Sequence, residues 1–266
     1  MELKKITAKM LVLTLAISQL VMPERVEAKS IGRESINYSE YAEVKKINEK
    51  RLLEQCGIDM STIIDVDKNE GKNEYIVNFG GMKEKICVEE VGGNFISFTA
   101  DNGTIKNNIE YKDGELIIDG NKIKVTTVKN ENVKMDASIC AVVYKGTKSL
   151  KPYGSLKASD YNKYLASGKQ NIQLGKALDG LTATALASCL SLINTYTGYA
   201  GTLTSVAIAI KDVLVNVSPK TEVLGCQYTT YTCGAYDYKY VNKFYANSEY
   251  NGTYTTQLSY EHFIVY

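Results

Sequence analysis

GLTATALASCLSLINTYTGYAGTLTSVAIAI, from Gly180 to Ile210, is a run of 31 residues without a charge. Read with its flanks, LGKALDGLTATALASCLSLINTY predicts a first helix, TGYAG a break, and GTLTSVAIAIKDVLVNV a second helix that ends before Pro219. On a helical wheel Thr184, Ser188, Ser191 and Thr195 form a hydroxyl stripe, while Leu178, Leu181, Cys189, Leu192 and Tyr196 cluster elsewhere. The second segment gathers Leu203, Val206, Ile210, Val213, Leu214 and Val217 on one side. Its β-branched content leaves a strand open for Val213 to Val217.

Two physical readings of this hairpin, residues 174–217, compete. In one it is a buried helical core. In the other it leaves the core and enters a bilayer through Leu181, Leu186, Leu190, Ile193, Val206, Ile208, Ile210 and Leu214. Only 14 of residues 177–217 are Leu, Ile or Val, so the segment is too weakly apolar to be stopped reliably during export.

N-terminal to the hairpin, Lys151, Lys157, Lys163, Lys169 and Lys176 are opposed only by Asp160. Five cations beside an apolar hairpin favour an anionic bacterial membrane, and the competing reading is a solvated surface. C-terminal to it, the last 42 residues hold ten of the chain's twenty tyrosines. Tyr236, Tyr238 and Tyr240 alternate strictly in YDYKY, and Asn251-Gly252 is a strong hairpin signal, giving strands near 226–233, 235–246 and 253–265. A period-two tyrosine stripe is either a half-buried sheet face or an aromatic binding face for glycan, cell wall or membrane interface.

The lysine-dotted YGSLKASDYNKYLASGKQNIQLGKALDG (153–180), the Ala/Thr/Gly hairpin and the Tyr-rich tail together resemble the C-terminal half of large secreted Firmicutes proteins related to geobacillin-type bacteriocins. The resemblance spans roughly residues 150–266 and includes no catalytic motif. It implies an unmodified antibacterial protein that works only while folded.

Towards the N-terminus the period changes. Residues 34–55 read as a helix with a narrow stripe of Tyr41, Val44, Ile47 and Leu52 or Leu53. From Ser61 to Val128, STIIDV, EYIVNFG, EKICVEEV, NFISFTA, NNIEY, ELIID and KIKVTTV are separated by Gly-, Asn- and Asp-rich turns, which predicts an antiparallel meander of six or seven strands. Residues 135–150 are either a last strand or a connector, and Pro152 and Gly154 mark a boundary. The expected fold is therefore α+β. A helix-plus-meander domain (29–150) precedes a region (151–266) in which the hairpin packs with a Tyr-rich antiparallel sheet.

Residues 1–28 read as a secretory signal. Lys4, Lys5 and Lys9 precede the apolar Met10–Met22 stretch, and Val26-Glu27-Ala28 offers a cleavage site after Ala28. Cleavage would leave 27 basic and 27 acidic residues, and only three of the chain's basic residues are arginine, a bias that points to an AT-rich Gram-positive genome. Near-neutral charge excludes a nucleic-acid binder held by bulk electrostatics. Six cysteines (Cys56, Cys87, Cys140, Cys189, Cys226, Cys233) in an exported chain allow three disulfides or several buried thiols. The pair expected to join is Cys226 with Cys233.

The sequence offers no CxxC, GxSxG, HExxH or Walker pattern, and His262 is its single histidine. Asp65 to Gly71 misses the EF-hand spacing, so no metal, cofactor or catalytic residue is expected. The leading functional expectation is a secreted, membrane-active, bacteriocin-like protein, with a neighbouring immunity protein as partner. The alternative is a cell-surface binding or adhesion module using Tyr236, Tyr238 and Tyr240, and the third is an exported inhibitor or immunity-type protein.

Overall fold

A computed structural model describes residues 38–69, 72–79, 81–128, 145–193 and 203–264. The expected leader, Cys140, the 135–144 stretch, Thr195 and the TGYAG break lie outside the described residues. The chain divides into Met1–Tyr41, of which only the opening of a helix is described, and Ala42–Tyr266.

Among the described side chains of helix α1 (Tyr38–Gln55), Glu49, Leu52 and Leu53 are buried. Leu52 and Leu53 enter the core, but Val44 and Ile47 of the expected stripe are exposed, because only the end of the helix meets a sheet. Gly57 (φ 79°) ends it, with Ile58 N–H donating to the Leu53 carbonyl and Gly57 N–H to that of Glu54.

The turn-separated runs then form a seven-stranded antiparallel sheet in chain order: β1 (Ile63–Asn69), β2 (Lys72–Phe79), β3 (Met82–Gly92), β4 (Phe95–Asp101), β5 (Lys106–Lys112), β6 (Glu115–Ile118) and β7 (Asn121–Lys122). Asp113-Gly114 and Asp119-Gly120 are two-residue hairpin turns with positive φ at both positions, the conformation that matches strand twist. Ile86, Val88, Ile96, Phe98 and Ile109 share the buried face.

KIKVTTV is not one strand. The chain turns inward at buried Ile123, and β8 (Lys124–Val128) joins a second antiparallel sheet in the order β8-β10-β11-β12-β13-β9. Its other members are β9 (Lys145–Ser149), β10 (Lys163–Gln173), β11 (Val223–Cys233), β12 (Asp237–Tyr245) and β13 (Tyr254–Ile264). Strands from both sides of residue 150 therefore share one sheet.

Between Gln173 and Pro219 lie α2 (Ala183–Ser191) and α3 (Leu203–Leu214), which pack on each other. Both are shorter than the charge-free run predicted. Residues 174–179 are withheld from α2 because their backbone pairs elsewhere: Leu174 N–H donates to the Glu222 carbonyl, Leu178 to Thr221 and Asp179 to Pro219. Thr182 then caps α2 through the Ala185 N–H. Val213 and Leu214 end α3, so the Val213–Val217 strand does not form. One hydrophobic core joins Leu52, Phe98 and Ile118 from the first half with Leu186, Leu190, Ile210, Leu224 and Phe244 from the second. The class is mixed α+β.

The Cys226–Cys233 disulfide is corrected. Both thiols are free, as are Cys56, Cys87 and Cys189. Cys226 and Cys233 lie on the same strand, seven residues and thus about 23 Å apart. A disulfide tolerates a Cα separation of only about 7 Å.

Candidate functional site

Side chains alternate across a strand, so register decides which groups share a face. On the core side of the second sheet are Ile172, Leu224, Cys226 and Phe244. On the opposite face the registers align four rows across β10, β11, β12 and β13: Asn171–Gly225–Tyr245–Tyr254, Lys169–Gln227–Lys243–Thr256, Ser167–Thr229–Val241–Leu258, and Tyr164–Tyr231–Lys239–Tyr260. A bulge between Tyr164 and Ala166 turns Tyr164 to this side.

The rings and cations of this face form connected chains. Lys169 Nζ stands 4.6 Å from the Tyr250 centroid, Tyr250 meets Tyr245 edge-on at 6.1 Å, Tyr245 meets Tyr254 at 5.2 Å, and Lys243 Nζ stands 4.6 Å from Tyr254. A second chain runs Tyr164–Tyr231 at 6.4 Å, with Lys239 Nζ 4.9 Å over Tyr231. Tyr250, at φ 57°, folds its ring over Gly225, where a Cβ would sit 3.2 Å from it. Burial pushes the pKa of the Tyr250 phenol up. Tyr164 and Tyr254 remain nearly half exposed.

Charge on this sheet is one-sided. Its six strands carry seven lysines and two acids, Asp237 and Glu261. Asp237 Oδ1 is 2.9 Å from His262 Nδ1, and the His262 ring stacks on Tyr153 at 3.7 Å. Glu261 lies on the core-side face and accepts from Tyr240 OH at 2.7 Å. A lysine over an aromatic ring is steadied by the ring quadrupole yet keeps its full charge for an incoming anion. The outer face of the first sheet differs: Glu74, Lys85, Glu89, Asp101 and Lys106 mix both signs.

The residues expected to insert into a bilayer are packed inside the protein in this structure. Leu181, Leu186, Leu190, Ile210 and Leu214 are fully buried, Ile193 and Val206 nearly so, and Ile208 is half-buried. At 1.5 Å per residue α2 and α3 are about 14 and 18 Å long, against a hydrocarbon layer of about 30 Å. Among the described residues no helix is long and apolar enough to cross a membrane.

The five lysines do not act together. Lys176 is taken by Asp119 at 2.6 Å, Lys151, Lys157 and Lys163 are exposed, and Lys169 alone joins the rows above. Of the expected aromatic face, Tyr236 is exposed at a turn. Tyr238 and Tyr240 lie on the core-side face, with Tyr240 buried and Tyr238 edge-on to Phe263. Sequence reasoning missed Tyr164, Tyr231, Lys239, Lys243, Tyr245, Tyr250 and Tyr254. The available signal was the opposite parity of the same strands, with Gln227, Thr229 and Tyr231 on one and Lys239, Val241, Lys243 and Tyr245 on the next.

Among the described residues no cluster of three His, Cys, Asp or Glu side chains is arranged to hold a metal ion. Comparison with family models, with curated proteins and with solved structures finds no match to this chain.

Proposed function

We propose that this chain is a non-catalytic binding module that docks the outer face of its second sheet on an anionic, sugar-bearing polymer of a cell surface. The carrying observation is the pairing of Lys169, Lys239 and Lys243 with Tyr250, Tyr231 and Tyr254 on a face where the one acid of the described strands, Asp237, is already engaged by His262. Lysines supply charge recognition, and tyrosine rings supply flat apolar surface for the C–H faces of sugars together with hydroxyls that stay wet. In this reading the leader expected over residues 1–28 delivers the protein to the outside.

The test is co-sedimentation of the purified protein with cell walls before and after acid extraction of their phosphate polymers. Binding falls about tenfold (~1.4 kcal/mol) in the Lys169→Gln/Lys243→Gln double variant and weakens with added salt. Undiminished binding to extracted walls and by the double variant overturns the reading.

A second reading, the bacteriocin-like one, is favoured by α2 itself. It carries no charged side chain, and eight of its nine residues are buried. Release of α2 and α3 towards an anionic membrane predicts dye efflux from phosphatidylglycerol vesicles that Ile210→Asp suppresses. Silence at every pH and lipid composition removes this reading.

A further inference from the structure

The walls around the Lys/Tyr face dictate the direction in which a ligand can lie. A shallow depression is lined by Gln227, Thr229, Tyr231, Val241 and Lys243. By register its floor continues to Ser167 on one side and to Leu258 on the other.

Along the strands this floor is closed at both ends. At one end residues 150–162 cross the sheet. Tyr161 packs on Tyr260 at 5.1 Å, Lys239 Nζ donates to the Ala158 carbonyl at 3.2 Å, and Tyr153 stacks on His262. At the other end Tyr250 covers Gly225. The interval from the Gln227 row to the Tyr231 row is four residues, about 13 Å. Across the strands, the registers of the described residues place no strand beside Ser167 or Leu258, since β8 pairs with β10 only from Lys169 on and β9 with β13 only from Tyr260 on. The Ser167–Thr229–Val241–Leu258 row spans three inter-strand spacings, about 14 Å.

Resting on the binding-module reading above, we infer that the ligand is a linear acidic polysaccharide that crosses the strands along the Ser167–Thr229–Val241–Leu258 floor. Lys169 and Lys243 flank Gln227 and fix the spacing of its acid groups. Their backbone positions lie two strands apart, about 10 Å, with Lys169 Nζ over Tyr250 and Lys243 Nζ over Tyr254, and that spacing suits alternate sugars of an extended chain rather than successive ones. The class is therefore a glycan with one anionic group per disaccharide. The Gln227 amide N–H and the Thr229 hydroxyl offer hydrogen bonds to the intervening neutral sugar, Gln227 Oε1 already accepting from Tyr245 OH at 3.4 Å and Ser167 Oγ already bonded to Tyr164 OH at 2.9 Å.

The experiment measures binding of the purified protein to three soluble probes of equal length at constant salt. These are hyaluronan fragments (one carboxylate per disaccharide), polygalacturonate (one per sugar) and neutral dextran. Hyaluronan is expected to bind at least about tenfold more tightly than polygalacturonate, and dextran not to bind. Thr229→Tyr, which fills the floor without altering charge, is expected to lose that preference. Val241→Tyr repeats the test at a second floor position, and circular dichroism verifies the fold of both.

Lys124 lies on the same face but outside the floor, next to Gln173. Lys124→Gln is expected to change hyaluronan affinity less than about twofold. Equal affinity for both acidic probes, unchanged by Thr229→Tyr and Val241→Tyr, overturns the cross-strand path and leaves anionic docking standing. Failure of both acidic probes to bind, together with failure on cell walls, overturns the binding-module reading itself.

Discussion

The Glu84 carboxylate closes the N-terminus of the helix that starts at Ala183. Its two oxygens accept the N–H groups of Ala183 at 2.7 Å and Thr184 at 2.9 Å, although 99 residues separate Glu84 from Ala183. Glu84 is 1 % exposed, so it exchanges water for two of the four backbone donors that every helix leaves unsatisfied, at the end where the dipole favours an anion. The same end is closed from α3 by Lys211, which donates to the Leu181 carbonyl and whose pKa burial lowers.

Removing this carboxylate strands two buried donors. Glu84→Ala is expected to cost about 4 kcal/mol, the sum of two unsatisfied buried N–H groups, and Glu84→Gln about 2 kcal/mol, since its amide oxygen still accepts one bond. Urea denaturation of the two variants and the parent measures both. Equal costs would mean that the charge and second oxygen contribute nothing.

Acid should loosen a neighbouring network. Burial alone would raise the pKa of Asp119. The Lys176 ammonium, the Asn108 backbone N–H and the Asn107 amide outweigh it and hold the carboxyl below its ordinary value. Asn107 in turn donates to the Gly180 carbonyl and accepts from Thr182 N–H, so the network ties the first sheet to the approach of α2. A carboxyl depressed by folding contributes stability that is complete above its unfolded value, about 3.9, and is lost as pH falls through the folded one. Stability should therefore drop more steeply below about pH 4 in the parent than in Asp119→Asn, as read by urea midpoints across an acid series. Parallel pH profiles would refute the assignment.

What was legible in the sequence was local. Hairpin turns such as Asp113-Gly114 announce themselves within four residues, and the meander followed from them. Strand β10 was hidden, because KYLASGKQNIQ places Gly168 and Gln170 on its core-side face where large apolar groups would have marked it. The bulk at Gly168 is supplied by Tyr228 from the next strand. The start of α2 was hidden for a like reason, since the partners of Leu174, Leu178 and Asp179 lie 40 and more residues away. Alternation in YDYKY placed Tyr238 and Tyr240 together, but parity alone does not say which face meets the core. The Cys226–Cys233 expectation took short spacing for proximity, which an extended strand defeats.

Thiol reactivity should divide the cysteines. Burial pushes Cys56, Cys189 and Cys226 up to about 12, so at pH 8 roughly one in ten thousand is thiolate. Cys87 and Cys233 are half-buried. Iodoacetamide followed by peptide mass mapping should modify Cys87 and Cys233 in the folded protein, and Cys56, Cys189 and Cys226 only after denaturation. A Cys226–Cys233 linked peptide from non-reduced protein would contradict the β11 strand.

Two glycines of β10 and β11 separate stability from binding. Gly168 lies under the Tyr228 ring on the core-side face, and an added methyl there would collide with that ring. Gly168→Ala is expected to cost about 1–3 kcal/mol of overpacking. The loss should shrink in the Gly168→Ala/Tyr228→Ala double variant, where the colliding ring is gone, measured against Tyr228→Ala alone. Gly225 faces the other way, and its added methyl would strike the Asn247 carbonyl and press on the Tyr250 ring. That ring is the one Lys169 stands over and the end wall of the Lys/Tyr floor. Gly225→Ala must therefore move the 246–253 loop, with Tyr250 in it, whereas Gly168→Ala leaves that loop in place. Gly225→Ala should weaken acidic-polymer binding severalfold in protein that still unfolds cooperatively, and Gly168→Ala should lower the urea midpoint while leaving affinity unchanged. The opposite assignment, with binding lost at Gly168 and kept at Gly225, would place the ligand on the core-side face and exclude the Lys/Tyr rows as its site.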